Sequence, residues 1–210
     1  MVKKISIRKD NAKWSPNIAY AVGLITTDGS LSSDKRHITF VSKDIGLIKT
    51  LKHCLCLNNR IKPKKSGFSK KMYYKIQFGD VKFYRWLLKI GLTPNKTKSI
   101  GELNLPKKYL PDFLRGHLDG DGCLRVFQDP VYHNSKRLYT VFYSASLKHL
   151  KWIQKQINRL LKINGWIESG NRVYRLTYAK LESKVLLPFL YYNKRIPFLK
   201  RKRDLITSYL

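Results

Sequence analysis

The stretch PDFLRGHLDGDG, Pro111 to Gly122, has a near-copy earlier in the chain, NIAYAVGLITTDG, Asn17 to Gly29. Each is an apolar run ending in Asp-Gly, and one offset of 93 residues aligns Gly23 with Gly116 and Asp28 with Asp121. Ser15-Pro16 supplies an N-cap and a first-turn proline. Ile18, Ala21, Val22 and Ile25 then recur at three- and four-residue steps, and Gly29 stops the run, which predicts a helix to Asp28. A glycine in mid-helix costs about 1 kcal/mol relative to alanine. Its repetition at matching places suggests what offsets the cost: two helices whose backbones touch there, with Asp28 and Asp121 side by side at their ends.

Outward from the motif, the same order of elements is written twice. In the first half, His37 to Ser42 alternates with period two and forms a hairpin with Ser30 to Ser33. Asp44 caps a helix with Ile45, Ile48, Leu51 and Leu55 facing inward. A second hairpin pairs Arg60–Lys65 with Met72–Phe78 across a lysine-rich turn, and a helix over Asp80–Ile90 stops at Gly91 before the basic run Pro94–Lys98. In the second half the hairpin after Gly122 pairs Cys123–Pro130 with Arg137–Ser144. A helix follows from Ser146 with Leu147, Leu150, Ile153, Ile157 and Leu160 as its stripe, then a hairpin from Trp166 to Tyr178, a last helix, and a basic tail, Phe198–Arg203. The reading is an α+β chain of two pseudo-symmetric halves, 1–100 and 101–210, each helix-hairpin-helix-hairpin-helix. The motif helices form their shared core, so the halves make one compact unit.

The charge indicates the partner. The 210 residues include 43 Lys and Arg against 13 Asp and Glu, a net +30 with a pI near 10.2, as expected of a protein that neutralises phosphates. The hairpins concentrate it. Lys62, Lys64, Lys65, Lys70, Lys71 and Lys75, with Tyr73, Tyr74 and Gln77, supply phosphate contacts and groups that reach base edges. Arg125, Arg137, Arg172, Arg175 and Thr177 do so in the second half, where Tyr174, Arg175 and Thr177 align with Tyr74, Lys75 and Gln77. No apolar run reaches the roughly 20 residues that span a bilayer. The basic start lacks a secretory core, so an intracellular protein of the bacterial cytoplasm or an organelle is expected, not a secreted one. Cys54, Cys56 and Cys123 have no metal-ligand spacing and read as small buried side chains. Walker A, dinucleotide-binding and HExxH patterns are absent.

The paired motifs, Ala21 to Gly29 and Leu114 to Gly122, resemble the LAGLIDADG motif of single-chain homing endonucleases, with Thr26 and His117 as departures from the pattern. The resemblance implies a saddle of antiparallel sheets over a long, weakly palindromic duplex, and a monomer that cuts both strands across the minor groove. It carries the metal-binding acids over to Asp28 and Asp121 and the carbonyl positions before them to Thr27 and Gly120. Basic residues near the cut fall on Lys96 or Lys98 and on Lys200 or Lys202. Mg²⁺ is the implied cofactor, replaceable by Mn²⁺, with Ca²⁺ supporting binding without rapid cutting. A splicing maturase that binds intron RNA, and a DNA-binding protein that has lost cleavage, are the alternatives on the same scaffold.

Overall fold

The computed structural model describes residues 13–65 and 72–210. Ser15 accepts a hydrogen bond from Ile18 N (3.2 Å) and opens α1, Pro16–Asp28. The chain continues as β1 (Gly29–Leu31), β2 (His37–Ser42), α2 (Ile45–Cys54), β3 (Lys62–Lys65), β4 (Met72–Gly79) and α3 (Val81–Lys89). The second half follows the same order as α4 (Leu110–Asp121), β5 (Cys123–Gln128), β6 (Lys136–Ser144), α5 (Leu147–Leu161), β7 (Trp166–Ser169), β8 (Tyr174–Tyr178) and α6 (Lys180–Leu190). Asp44, Asp80 and Ser146 cap α2, α3 and α5 through their side-chain oxygens. The tail that reads as merely basic folds into a short helix, α7, over Lys200–Asp204. No helix among the described residues is long and apolar enough to cross a membrane.

Each half builds a four-stranded antiparallel sheet, ordered β1-β2-β4-β3 and β5-β6-β8-β7. Alternation assigns the two faces. Ile38, Phe40, Ile76 and Phe78 bury one face of the first sheet, and Leu124, Leu138, Phe142 and Leu176 bury one face of the second. The helices cover these faces and leave the others open. Tyr74 and Tyr174 share the parity of the buried residues and pack against the core, so neither lies among the base-reading groups expected of them. Ile45 and Leu160, expected inward, are exposed at the ends of their helices' apolar stripes. Of the cysteines only Cys54 is buried; Cys56 is exposed and Cys123 intermediate.

The glycine reading is matched by the geometry. A Cβ on Gly23 would lie 2.2 Å from Phe113 O, and one on Gly116 would lie 2.1 Å from Tyr20 O. Only hydrogen fits where α1 crosses α4. Around this joint Ala19, Tyr20, Val22, Phe113 and Leu114 are fully buried. The connection between the halves is fastened as well: Ser146 Oγ donates to Ile100 O (2.5 Å), and His149 Nδ1 lies 2.8 Å from Gly101 O.

Candidate active site

At the far end of the crossing, a Cβ on Gly120 would meet Thr27 Oγ1. The residues just before the two aspartates therefore touch, and Asp28 and Asp121 end adjacent helices. Burial, together with the Asp121 charge, pushes the Asp28 carboxyl up to about 7, against the pull of Lys202 and Lys96. Burial also raises Asp121, although its side chain opens to solvent. Two carboxylates held together and partly stripped of water form a site that a cation stabilises.

Two lysines complete it, and burial distinguishes them from their neighbours. Lys96 is 6% exposed and Lys202 4%, whereas Lys98 and Lys200 are exposed on the surface and make no side-chain hydrogen bond among the described residues. Lys96 Nζ donates to Gly29 O, at the end of α1. Lys202 Nζ donates to Asp119 O (3.0 Å), Gly122 O (2.7 Å) and Leu118 O, at the end of α4. The placement is pseudo-symmetric: each ammonium binds the carbonyl of the glycine that follows a motif aspartate, at a helix end where cations are favoured. Burial pushes Lys96 down to about 8 and lowers Lys202, while the acids pull both upward.

Asp119 is a strut. It accepts from Tyr20 Oη (2.8 Å) and Leu199 N (2.8 Å), and Tyr191 Oη lies 3.4 Å away. It thereby ties α1, α4 and the segment leading to Lys202 together. Beside Asp121 a recess of about 50 Å³ is lined by Thr26, Thr27, Lys96, His117 and His149, large enough for water. His117 stacks on His149 with centroids 5.3 Å apart. His117 Nδ1 and His149 Nε2 are buried there without partners among the described residues.

The open sheet faces flank this centre. Lys62, Lys64, Tyr73, Lys75 and Gln77 share the open face of the first sheet, with Lys43 Nζ 5.3 Å from the Tyr73 ring centroid. Lys65 has the opposite parity, and Lys70 and Lys71 lie outside the described residues. Arg125, Arg137 and Arg175 share the open face of the second sheet, and Arg172 sits in the β7–β8 turn; Thr177 has the parity of the arginines but is buried, 7% exposed, so it does not present the surface contact expected of it. The same faces carry groups that the sequence reading missed: Thr39, Val41, Tyr139, Tyr143, Trp166 and Glu168. Period-two alternation, which sets Thr39 and Val41 on the face opposite Phe40, does the same for Tyr139 and Tyr143 when counted from Phe142.

Two sheets of order 1-2-4-3, related through a pair of glycine-bearing helices that end in aspartate, decide the architecture. This is the LAGLIDADG fold. Solved structures align with it along almost the whole chain. The N-terminal LAGLIDADG domain of DUF199/WhiA matches with TM-score 0.59 and 17% identity over 99% of this chain and 93% of that one. Full-length DUF199/WhiA from Thermatoga maritima matches over 98% of this chain, which spans 64% of that protein's length. The homing endonuclease I-WcaI, bound to its DNA recognition sequence, matches with TM-score 0.66 and 11% identity over 94% of this chain and 88% of that one. No family model matches the sequence, and neither does any curated protein. At these identities the likeness concerns the LAGLIDADG fold itself.

Proposed function

We propose that the chain is a site-specific double-strand DNA endonuclease whose two motif aspartates hold divalent metal at the scissile phosphates. The observation that carries this reading is the convergence of Asp28 and Asp121 at touching helix ends, with one buried lysine from each half beside them. The donor set fits a hard cation: two carboxylates, with the Thr27 and Gly120 carbonyls beside them in the chain. Such a site leaves coordination positions to water and phosphate oxygen. When bound, Mg²⁺ supplies a water of lowered pKa and charge for the leaving oxygen.

The chain's own residues do the rest. Asp28 and Asp121 fix the position of the cut between the sheets, and the shared joint serves both strands. Lys96 and Lys202, held on backbone carbonyls, place positive charge where negative charge grows in the transition state. The open sheet faces supply duplex affinity and register. The DNA-bound endonuclease among the structural relatives supports the partner. So does a variant of I-DmoI whose structure, with its target DNA in the presence of Mg, matches with TM-score 0.54.

The test is cleavage. A randomised duplex library incubated with the protein and Mg²⁺ yields cut ends that define the target, and a plasmid carrying that target is then assayed. Asp28→Asn and Asp121→Asn are each expected to abolish double-strand cleavage while binding in Ca²⁺ stays within a few-fold of wild type. Each variant is also expected to melt slightly higher, because a raised carboxyl is neutralised. Wild-type cutting rates in both variants would remove the aspartates from the mechanism. A wild type that binds duplex and never cuts would select the DNA-binding alternative.

A further inference from the structure

The two open faces are built from different chemistry. On the first sheet the cross-strand pair Lys62↔Lys75 sets two ammonium groups opposite each other. Like charges placed so repel, and the arrangement is relieved by phosphate. The equivalent pair on the second sheet is Glu168↔Arg175, with Arg175 Nε 2.7 Å from Glu168 Oε2. Both side chains are close to half exposed, at 45% and 43%, so the pair contributes little to stability. A carboxylate on a face that meets polyphosphate opposes non-specific affinity, and an ordering role would account for its presence.

The bond uses Nε alone. The terminal nitrogens of Arg175 make no hydrogen bond among the described residues, which leaves the outer edge of the guanidinium fork open. Arg137 differs, because Asp129 engages it at both Nε (2.7 Å) and Nη2 (3.4 Å). Arg175 also stands at the edge of a recess of about 230 Å³ walled by Tyr139, Tyr143, Trp166 and Thr177. A planar fork, anchored at one end and free at the other, is the geometry that bonds guanine O6 and N7 together. Anchoring before contact removes part of the ordering cost of binding.

We propose that Arg175 reads a guanine in the half-site under the second sheet and that Glu168 is its positioning residue. The first sheet then supplies mainly sequence-independent affinity through Lys62, Lys64 and Lys75. The inference rests on the DNA reading above and deepens it.

Selection from a randomised duplex library in Ca²⁺, without cleavage, tests it with wild type, Arg175→Lys, Glu168→Gln and Lys75→Ala, each first shown by melting to be folded. The wild-type selection should fix a guanine at one position. Arg175→Lys keeps the charge and loses the fork, so preference at that position should fall about tenfold or more with the salt dependence unchanged. Glu168→Gln should weaken the same preference severalfold while strengthening binding to unrelated duplex. Lys75→Ala should lower the slope of log K against log salt by about one and leave base preference intact. An unchanged preference in Arg175→Lys would reduce Arg175 to a phosphate contact and overturn the inference while the DNA reading stands. An unchanged preference in Glu168→Gln would overturn the positioning role. A wild type that enriches no duplex would bring down the DNA reading and the inference with it.

Discussion

Gly116→Ala tests the joint on which both the fold and the site depend. The added methyl would lie 2.1 Å from Tyr20 O and 3.2 Å from Gly23 Cα, both backbone atoms with no rotamer to change. A C···O contact needs roughly 3.3 Å, so α1 and α4 must part by about 1 Å. Overpacking of this kind costs about 3 kcal/mol, and the better helix propensity of alanine returns roughly 1, leaving a net loss of about 2 kcal/mol. At 2–4 °C per kcal/mol for a chain of this size, melting should fall by roughly 4–8 °C. Cleavage should fall further than stability, because a misplacement of about 1 Å in a catalytic group is worth on the order of 100-fold. Calorimetry and single-turnover cleavage well below the melting point separate the two effects. Gly170→Ala is the control, since its nearest neighbour, Val173 O, would be 3.2 Å away in an exposed turn. If Gly116→Ala melts with wild type and cuts at the same rate, the backbone contact is not what sets the distance between the aspartates.

Acid should cost the fold the contribution of its two buried histidines. Burial pushes His149 down to about 4 and holds His117 well below the usual imidazole value, so the unfolded histidines take up protons from about pH 6.5 downward while the folded ones do not. The histidine contribution is therefore whole above about pH 6.5 and is lost toward pH 4, by about 3 kcal/mol from His149 alone, while Asp28, raised to about 7, contributes with the opposite sign as it takes up its proton; urea midpoints in wild type and His149→Gln should show the histidine slope and its reduction. Tyr20→Phe removes the 2.8 Å bond to Asp119 and leaves a buried carboxylate short of one donor, so calorimetry should show a loss of about 1–3 kcal/mol; a variant as stable as wild type would end the strut assignment.

The duplication made the fold legible. Matching glycines and aspartates fix which helices touch and where they end, and alternation then assigns the hairpins around them. What the sequence hides is orientation within repeated chemistry. Lys96 and Lys98 look alike in the run that holds them, as do Lys200 and Lys202, because only the fold of each turn decides which ammonium meets a helix-end carbonyl. Tyr74 and Tyr174 read as surface groups because tyrosines beside lysines resemble a binding face, whereas strand parity carries them inward with Ile76 and Leu176. Glu168 is hidden in the sequence because its partner, Arg175, is set by strand register and not by any local pattern. His117 replaces an apolar residue of the motif and stays buried by stacking on His149, a partner 32 positions away that no local pattern reveals.

A joint of bare backbone has no slack. Side chains at a helix crossing can change rotamer and let two bodies slide, but Gly23 and Gly116 offer nothing to rearrange, so the two sheets are held at one spacing and one angle. On a duplex, one base pair inserted between the half-sites would shift the far half-site by about 3.4 Å and turn it by about 35°. The protein has no hinge at the crossing with which to follow. Under the proposed function, the separation of the half-sites is set as strictly as any base, by two glycines at the helix crossing.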